Sequence, residues 1–140
     1  MSTAPGRLSF AVPRARRITL AAIPRRDRIA LHKRAADLAS SGRIGRKGEH
    51  LLAAGEHLAA ARTLRDEAHE AEQGYELRRA ARYLKLAIKA IDQVGGRGRE
   101  RLALERDRAK VLLLQGDLAR TEGVLRNALR RARSVQDVEL

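Results

Sequence analysis

Between Ala109 and Ala132, apolar residues recur at helical spacing on both sides of a break at Gln115-Gly116-Asp117. Leu102, Leu104, Ala109, Leu112 and Leu113 give the helix entering the break one apolar face. Gly116 enters the left-handed backbone region without a Cβ penalty, and Asp117 can then accept backbone N–H groups of a new helix. Leu118, Thr121, Val124, Leu125, Ala128, Leu129 and Ala132 line one face of that second helix. Arg120, Arg126, Arg130, Arg131 and Arg133 fall mostly on the other. Two amphipathic helices joined so tightly must fold back on each other, and the second stripe is expected to bury against its hairpin partner.

The rest of the chain offers the same material. One Phe, two Tyr, one Met and no Trp leave Leu, Ala, Ile and Val to build any core, which points to helices packed closely through alanine. Leu8-Ser9-Phe10 reads as a short strand or extended lead-in. Pro13 suits the first turn of a helix running to about Ala22, and Pro24 restarts the chain. Ile29, His32, Ala35, Ala36 and Ala39 share one face of the next helix, which Ser40-Ser41-Gly42 ends. After it, Gly48, Leu51, Gly55, Ala60 and Leu64 repeat the offsets of the C-terminal hairpin and place a turn at Gly55-Glu56, with Glu67 standing where an alanine fits the pattern. A rival reading runs one helix from Ile44 to about Glu72, because an interior glycine costs only ~1 kcal/mol. Gly74 then introduces a helix from Tyr75 to about Val94, and Gly95-Gly96-Arg97-Gly98 reads as a flexible link.

Ala109, Leu112, Gly116, Thr121, Leu125 and Ala128 resemble a tetratricopeptide repeat, in which small residues let helices approach and large ones fill the gaps. Ala80, Leu84 and Ala87 are similar to the second half of the same pattern. Gly55 and Gly116 are 61 positions apart (116 − 55), not a multiple of the repeat's period of about 34 residues, so an irregular stack is expected. A second resemblance runs from Leu8 to about Leu38. There Phe10, Arg16, Ile18, Pro24, Arg28, Leu31, His32 and Ala36 are similar to the segment that follows the ATPase core in bacterial multidomain signalling ATPases, including LuxR-type and MalT-like regulators and ATPase-linked cyclases. In that family a winged-helix remnant passes into tetratricopeptide-like hairpins. The resemblance implies a regulatory or scaffolding role, and the nucleotide-binding core is not in this sequence.

Net charge is +13, with 30 basic and 17 acidic residues. Residues 1–47 carry 12 basic and 2 acidic groups (+10), 48–94 carry 7 and 8 (−1), and 95–140 carry 11 and 7 (+4), so the excess sits in the first third. Arg14, Arg16, Arg17, Arg25, Arg26 and Arg28 are the candidate contacts to phosphate. No aromatic residue interleaves them, so binding to DNA or RNA through this cluster is expected to be sequence-independent and salt-sensitive. An Arg-rich solvated surface explains the same cluster without any ligand.

No constellation for catalysis emerges. Without cysteine there is no disulfide and no thiolate ligand. His32, His50, His57 and His69 lack the spacing of a zinc helix, although His50 and His57 can share a face. Asp66, Glu67, Glu70, Glu72 and Glu76 alternate with arginines and read as surface ion pairs. The Gly-rich link has no phosphate-loop signature.

The expectation is therefore an all-α protein, an irregular α-solenoid of antiparallel hairpins, with a basic N-terminal segment (1–42) and the hairpins in 43–140. It is expected to be a cytoplasmic, non-enzymatic interaction or regulatory scaffold without cofactor or metal, meeting a protein partner and no membrane. Glu49, Arg106 and Lys110 are the exposed candidates for partner contact, and Leu51, Leu64, Leu84, Leu112 and Leu125 the packing residues. The alternatives are a basic helical protein associated with nucleic acid, and a truncated gene fragment with no role of its own.

Overall fold

A computed structural model of the chain describes residues 21–39 and 46–138, with side chains as far as Ser134. Six helices follow one another: α1 (Arg25–Leu38), α2 (Lys47–Ala53), α3 (His57–Gln73), α4 (Leu77–Val94), α5 (Gly98–Leu114) and α6 (Leu118–Val138). The described residues contain no strand. The expected lead-in at Leu8-Ser9-Phe10, the stop at Ser40-Ser41-Gly42 and the boundary at residue 42 lie outside the described residues. Of the helix expected from Pro13, Ala21 and Ala22 are described, and both are helical.

Three of the connections are the same turn. After α2, Gly55 N–H donates to Leu52 C=O and Glu56 N–H to Leu51 C=O. After α3, Tyr75 N–H donates to Glu72 and Glu76 N–H to Ala71, and after α5, Gly116 donates to Leu113 and Asp117 to Leu112. This is the Schellman pairing, which satisfies the last carbonyls of a helix by turning one residue left-handed. The left-handed residues are Gly55 (φ 81), Tyr75 (φ 58) and Gly116 (φ 77). An acidic residue follows each, and at Asp117 it caps α6 by accepting the N–H of Arg120 at 3.0 Å. Gly55 is thus a turn, which excludes the single long helix through it. The helix expected from Tyr75 begins instead at Leu77, because Tyr75 itself occupies the left-handed position that Gly74 just misses. The link after α4 turns through Gly95 and Gly96, while Gly98 already belongs to α5.

Each helix packs most extensively on its sequence neighbours, and α3 against α4 is the largest contact. Their interface is Ala60, Ala61, Leu64, Ala68 and Ala71 against Ala80, Tyr83, Leu84, Ala87, Ile88, Ala90 and Ile91, joined from α5 by Leu104 and Val111. Alanines at the crossing let the backbones approach, and the few large side chains fill what remains.

At α2 this logic reaches its limit. A Cβ on Gly48 would lie 2.5 Å from Cγ and 2.7 Å from Cδ2 of the buried Leu64. Glu67 stands where the repeat favours alanine because its carboxylate reaches across from α3 and accepts the Gly48 N–H at 3.3 Å. It is a tertiary cap on the first turn of α2 rather than the surface ion-pair partner expected for it. Burial pushes its pKa above the usual carboxylate range, and the N–H groups of Gly48 and Lys47 offset part of that.

The C-terminal hairpin departs from expectation. Leu112 is buried, but Leu113, Leu118, Leu125 and Leu129 are exposed, and of the α6 stripe only Thr121 is fully buried. α5 covers one side of that stripe, and no other described helix packs extensively on α6.

Two paired predictions follow from the turns and the cap. Tyr75→Gly should raise stability by about 1 kcal/mol by removing the left-handed penalty, while Gly48→Ala should lower it by roughly 1–3 kcal/mol through overpacking against Leu64; urea denaturation reads both. For Glu67, a raised folded pKa means the native protein holds a proton that the unfolded chain has released. Its contribution therefore improves as pH falls from neutral through the raised value towards the ordinary carboxylate range. Glu67→Gln, which keeps the acceptor and loses the charge, should be more stable than the parent at neutral pH, with the gap closing on acidification.

Candidate functional site

Ion pairs tie helices that are second neighbours in the chain. Lys33 of α1 reaches Glu56 at the start of α3 (2.7 Å), and Arg82 of α4 reaches Glu49 of α2 (2.9 Å). Between α3 and α5, Arg65 meets Asp107 at 2.9 Å and Lys110 meets Glu72 at 2.5 Å. These pairs are largely solvated and worth little singly, but they mark a regular pattern in which a cation on one helix faces an acid on the next but one.

Between α4 and α6 that pattern stops. An open groove of about 1260 Å³ takes its place, with α4 as one wall, α5 as floor and the start of α6 as the other wall. Its lining holds six cationic side chains, Arg78, Arg79, Arg82, Lys85, Arg108 and Arg120, against two acidic ones, Glu76 and Asp117. Both acids are engaged: Glu76 with Arg79 at 3.1 Å, and Asp117 with Arg120 at 3.4 Å and the α6 cap. Arg79 also donates to the Tyr83 hydroxyl at 3.1 Å.

Arg108 is the central feature. It rises from the floor, half-buried, and its Nε is buried with no acceptor among the described residues. Desolvation lowers its pKa, as does the like charge of Arg120, with only partial relief from Glu105. A guanidinium stays protonated under these conditions, so what is left is a cation held in a poor environment that an incoming anion would improve.

Glu105, which offsets part of the cost at Arg108, belongs to a network behind the floor. Glu105 is itself buried on α5, bonded to Arg101 and 3.8 Å from Arg131 of α6, and Arg101 also bonds Asp92 of α4. This chain of charges joins three helices through Glu105 Oε1, while Oε2 is buried with no partner among the described residues.

Apolar surface lies among the cations: Leu77 and Ala81 on α4, and Tyr75 at one end. Tyr75 is 88% exposed and strained at φ 58, and it also lines a second cavity of about 500 Å³ with His69, Glu72, Lys110 and Leu114. An exposed aromatic held in a costly conformation beside two cavities is poised for contact.

The residues expected from sequence are placed differently. Arg14, Arg16 and Arg17 lie outside the described residues. Arg25 and Arg26 are exposed and Arg28 half-buried on the first turn of α1, and none of them lines the groove. Glu49, expected to be exposed, is half-buried in its pair with Arg82. Arg106 is exposed beside Asp107, and Lys110 lines the smaller cavity in its pair with Glu72. The groove carried a signal that pattern reading passed over. Arg108 sits midway between Leu104 and Leu112 at i±4 on the apolar face of its helix, and Arg78, Arg82 and Lys85 share one face of α4.

His32 and His50 meet, Nδ1 to Nδ1, at 3.2 Å, rather than His50 and His57. No group of three or more metal-capable side chains occurs among the described residues, and no described helix is long and apolar enough to cross a membrane. No protein-family model, curated protein or solved structure matches the chain.

Arg108→Leu should raise folding stability by roughly 0.5–1 kcal/mol, since it replaces an uncompensated charge by apolar contact with the floor. A shift of the urea midpoint upward, with unchanged helical circular dichroism, is the expected result.

Proposed function

We propose that this chain is a non-catalytic interaction scaffold, an irregular solenoid of tetratricopeptide-like hairpins that receives an acidic segment of a partner protein in the α4–α5–α6 groove. The observation that carries this reading is Arg108, a half-buried guanidinium whose buried Nε has no acceptor among the described residues, at the centre of a cation-lined groove. The acidic segment supplies the carboxylates that the ion-pair pattern lacks between α4 and α6. Leu77 and Tyr75 give it apolar ground, which a bare phosphate chain would not use. The Schellman turn repeated after α2, α3 and α5 supports a stack of antiparallel hairpins, because the same turn brings each following helix back on the one before it. The resemblance to the C-terminal part of signalling ATPases gives such a scaffold a regulatory setting in the bacterial cytoplasm.

Fluorescence anisotropy with a labelled peptide of alternating glutamate and leucine tests the reading. The intact chain should bind it in a salt-dependent manner. Arg108→Leu should weaken it by about tenfold or more, the loss of one charge-assisted contact, without loss of stability. Tighter binding of a random-sequence DNA oligonucleotide, lost in the same variant, would instead assign the groove to nucleic acid.

A further inference from the structure

The three Schellman turns put three helices in register, and comparing them exposes an unfinished surface. Counting from the left-handed residue at Gly55, Tyr75 or Gly116, the fifth position is Ala60, Ala80 or Thr121, and all three are buried. The ninth is Leu64, Leu84 or Leu125, at 0%, 2% and 44% exposure. The thirteenth is Ala68, Ile88 or Leu129, at 2%, 9% and 61%. In the first two copies the next helix packs over the stripe, α4 on α3 and α5 on α4. On α6 the same positions are open.

We propose that this outer face of α6, formed by Leu118, Leu125 and Leu129, is a docking site for an acidic amphipathic helix of a partner protein. That helix would lie on α6 as α4 lies on α3. A helix is the occupant because the geometry is already realised twice in this chain, with the same turn, the same register and a helix on top each time. The sign of its charge follows from the rim. At 100° per residue the stripe at 118, 125 and 129 is bordered on its outer side by Glu122, Arg133, Arg126 and then Arg130; Glu122 is paired with Arg126, so among the described side chains Arg133 and Arg130 leave the rim positive. A partner helix with glutamates flanking its apolar stripe meets these arginines, whereas a basic one is repelled. A second copy is disfavoured by the same rim: α6 against α6 would set arginine against arginine, and α1, which exposes Leu31 and Leu38, carries Arg25, Arg26, Arg28, Lys33 and Arg34 against Asp27 and Asp37.

The proposal is independent of the groove, because Arg120, the groove's α6 cation, projects from the opposite side of the α5 contact. The probe is a synthetic amphipathic helix of about 18 residues, five turns, with leucines at heptad core positions and glutamates elsewhere. A twin with lysine for every glutamate is the control. Titrated against the full chain by anisotropy, the glutamate helix should bind and the lysine twin should bind at least tenfold more weakly. Leu125→Gln combined with Leu129→Gln should abolish binding, and Arg130→Glu combined with Arg133→Glu should weaken it tenfold or more. The arginine variant should keep the parent's unfolding midpoint, because both side chains are exposed, and the leucine variant, in which Leu125 is 44% exposed, should keep the parent's helical circular dichroism. Arg108→Leu should leave this binding unchanged. Equal binding of the twin, or survival of binding in the Leu125/Leu129 variant, overturns the proposal. Loss of binding in Arg108→Leu alone reassigns the probe to the groove and overturns it as well. Sedimentation equilibrium that gives a dimer dissolved by Leu125→Gln and Leu129→Gln makes a second copy the occupant, which also overturns it.

Discussion

Helix contact through alanine is the constraint on which the structure depends. Ala60, Ala61, Ala68 and Ala71 on α3 and Ala80, Ala87 and Ala90 on α4 are all buried where the two helices meet. Alanine brings little apolar area per residue but loses no side-chain entropy on folding, so such an interface is efficient when backbones come close. It also has almost no slack. At Gly48 the approach is so tight that a single methyl group would collide with Leu64. The large side chains are few, and Leu64, Leu84, Ile91, Val111 and Leu112 supply most of the volume the alanines leave open.

A core built this way covers only what lies between neighbouring helices, and charge does part of the remaining work. The Asp92–Arg101–Glu105–Arg131 chain links α4, α5 and α6 where apolar burial is slight, since α6 fully buries Thr121 alone. Arg101 shows how the balance is struck: burial works against its charge, and the hydrogen bonds it donates to Asp92 and Glu105 more than restore it, so its pKa rises. Arg108, seven residues further along the same helix, has the burial without the bonds.

What was legible in the sequence is what local chemistry specifies. Gly55 and Gly116 announced their turns because only glycine takes that backbone conformation freely, and Leu64, Leu84 and Leu112 followed from helical period. Tyr75 was not legible, because a bulky residue in the left-handed region is held there by its surroundings and not by its own preference. Glu67 was read as an irregularity of the repeat, since its partner, the backbone of Gly48, is 19 residues away in sequence. The exposure of Leu125 and Leu129 was hidden for a different reason. Periodicity says that a stripe is apolar, but which of its neighbours is present to cover it is a property of the assembled stack.

Three of the places where local rules are broken among the described residues are of one kind. Tyr75 carries strain that a glycine would relieve, Arg108 carries an unmatched charge, and the α6 stripe leaves leucines in water. Each violation lies on a surface that a partner could reach, and in each the missing element has a definite chemistry: an apolar contact for the tyrosine, carboxylates for the arginine, a helix face for the leucines. Natural chains hold such conflicts mainly where binding resolves them. Glu67 makes the contrast. It too is a local misfit, a half-buried carboxylate where alanine would pack, and its conflict is answered in part inside the fold: one oxygen caps α2, while the other is buried with no partner among the described residues. Sorting misfits by whether the chain itself answers them separates the parts of this structure that hold it together from the parts that face outward.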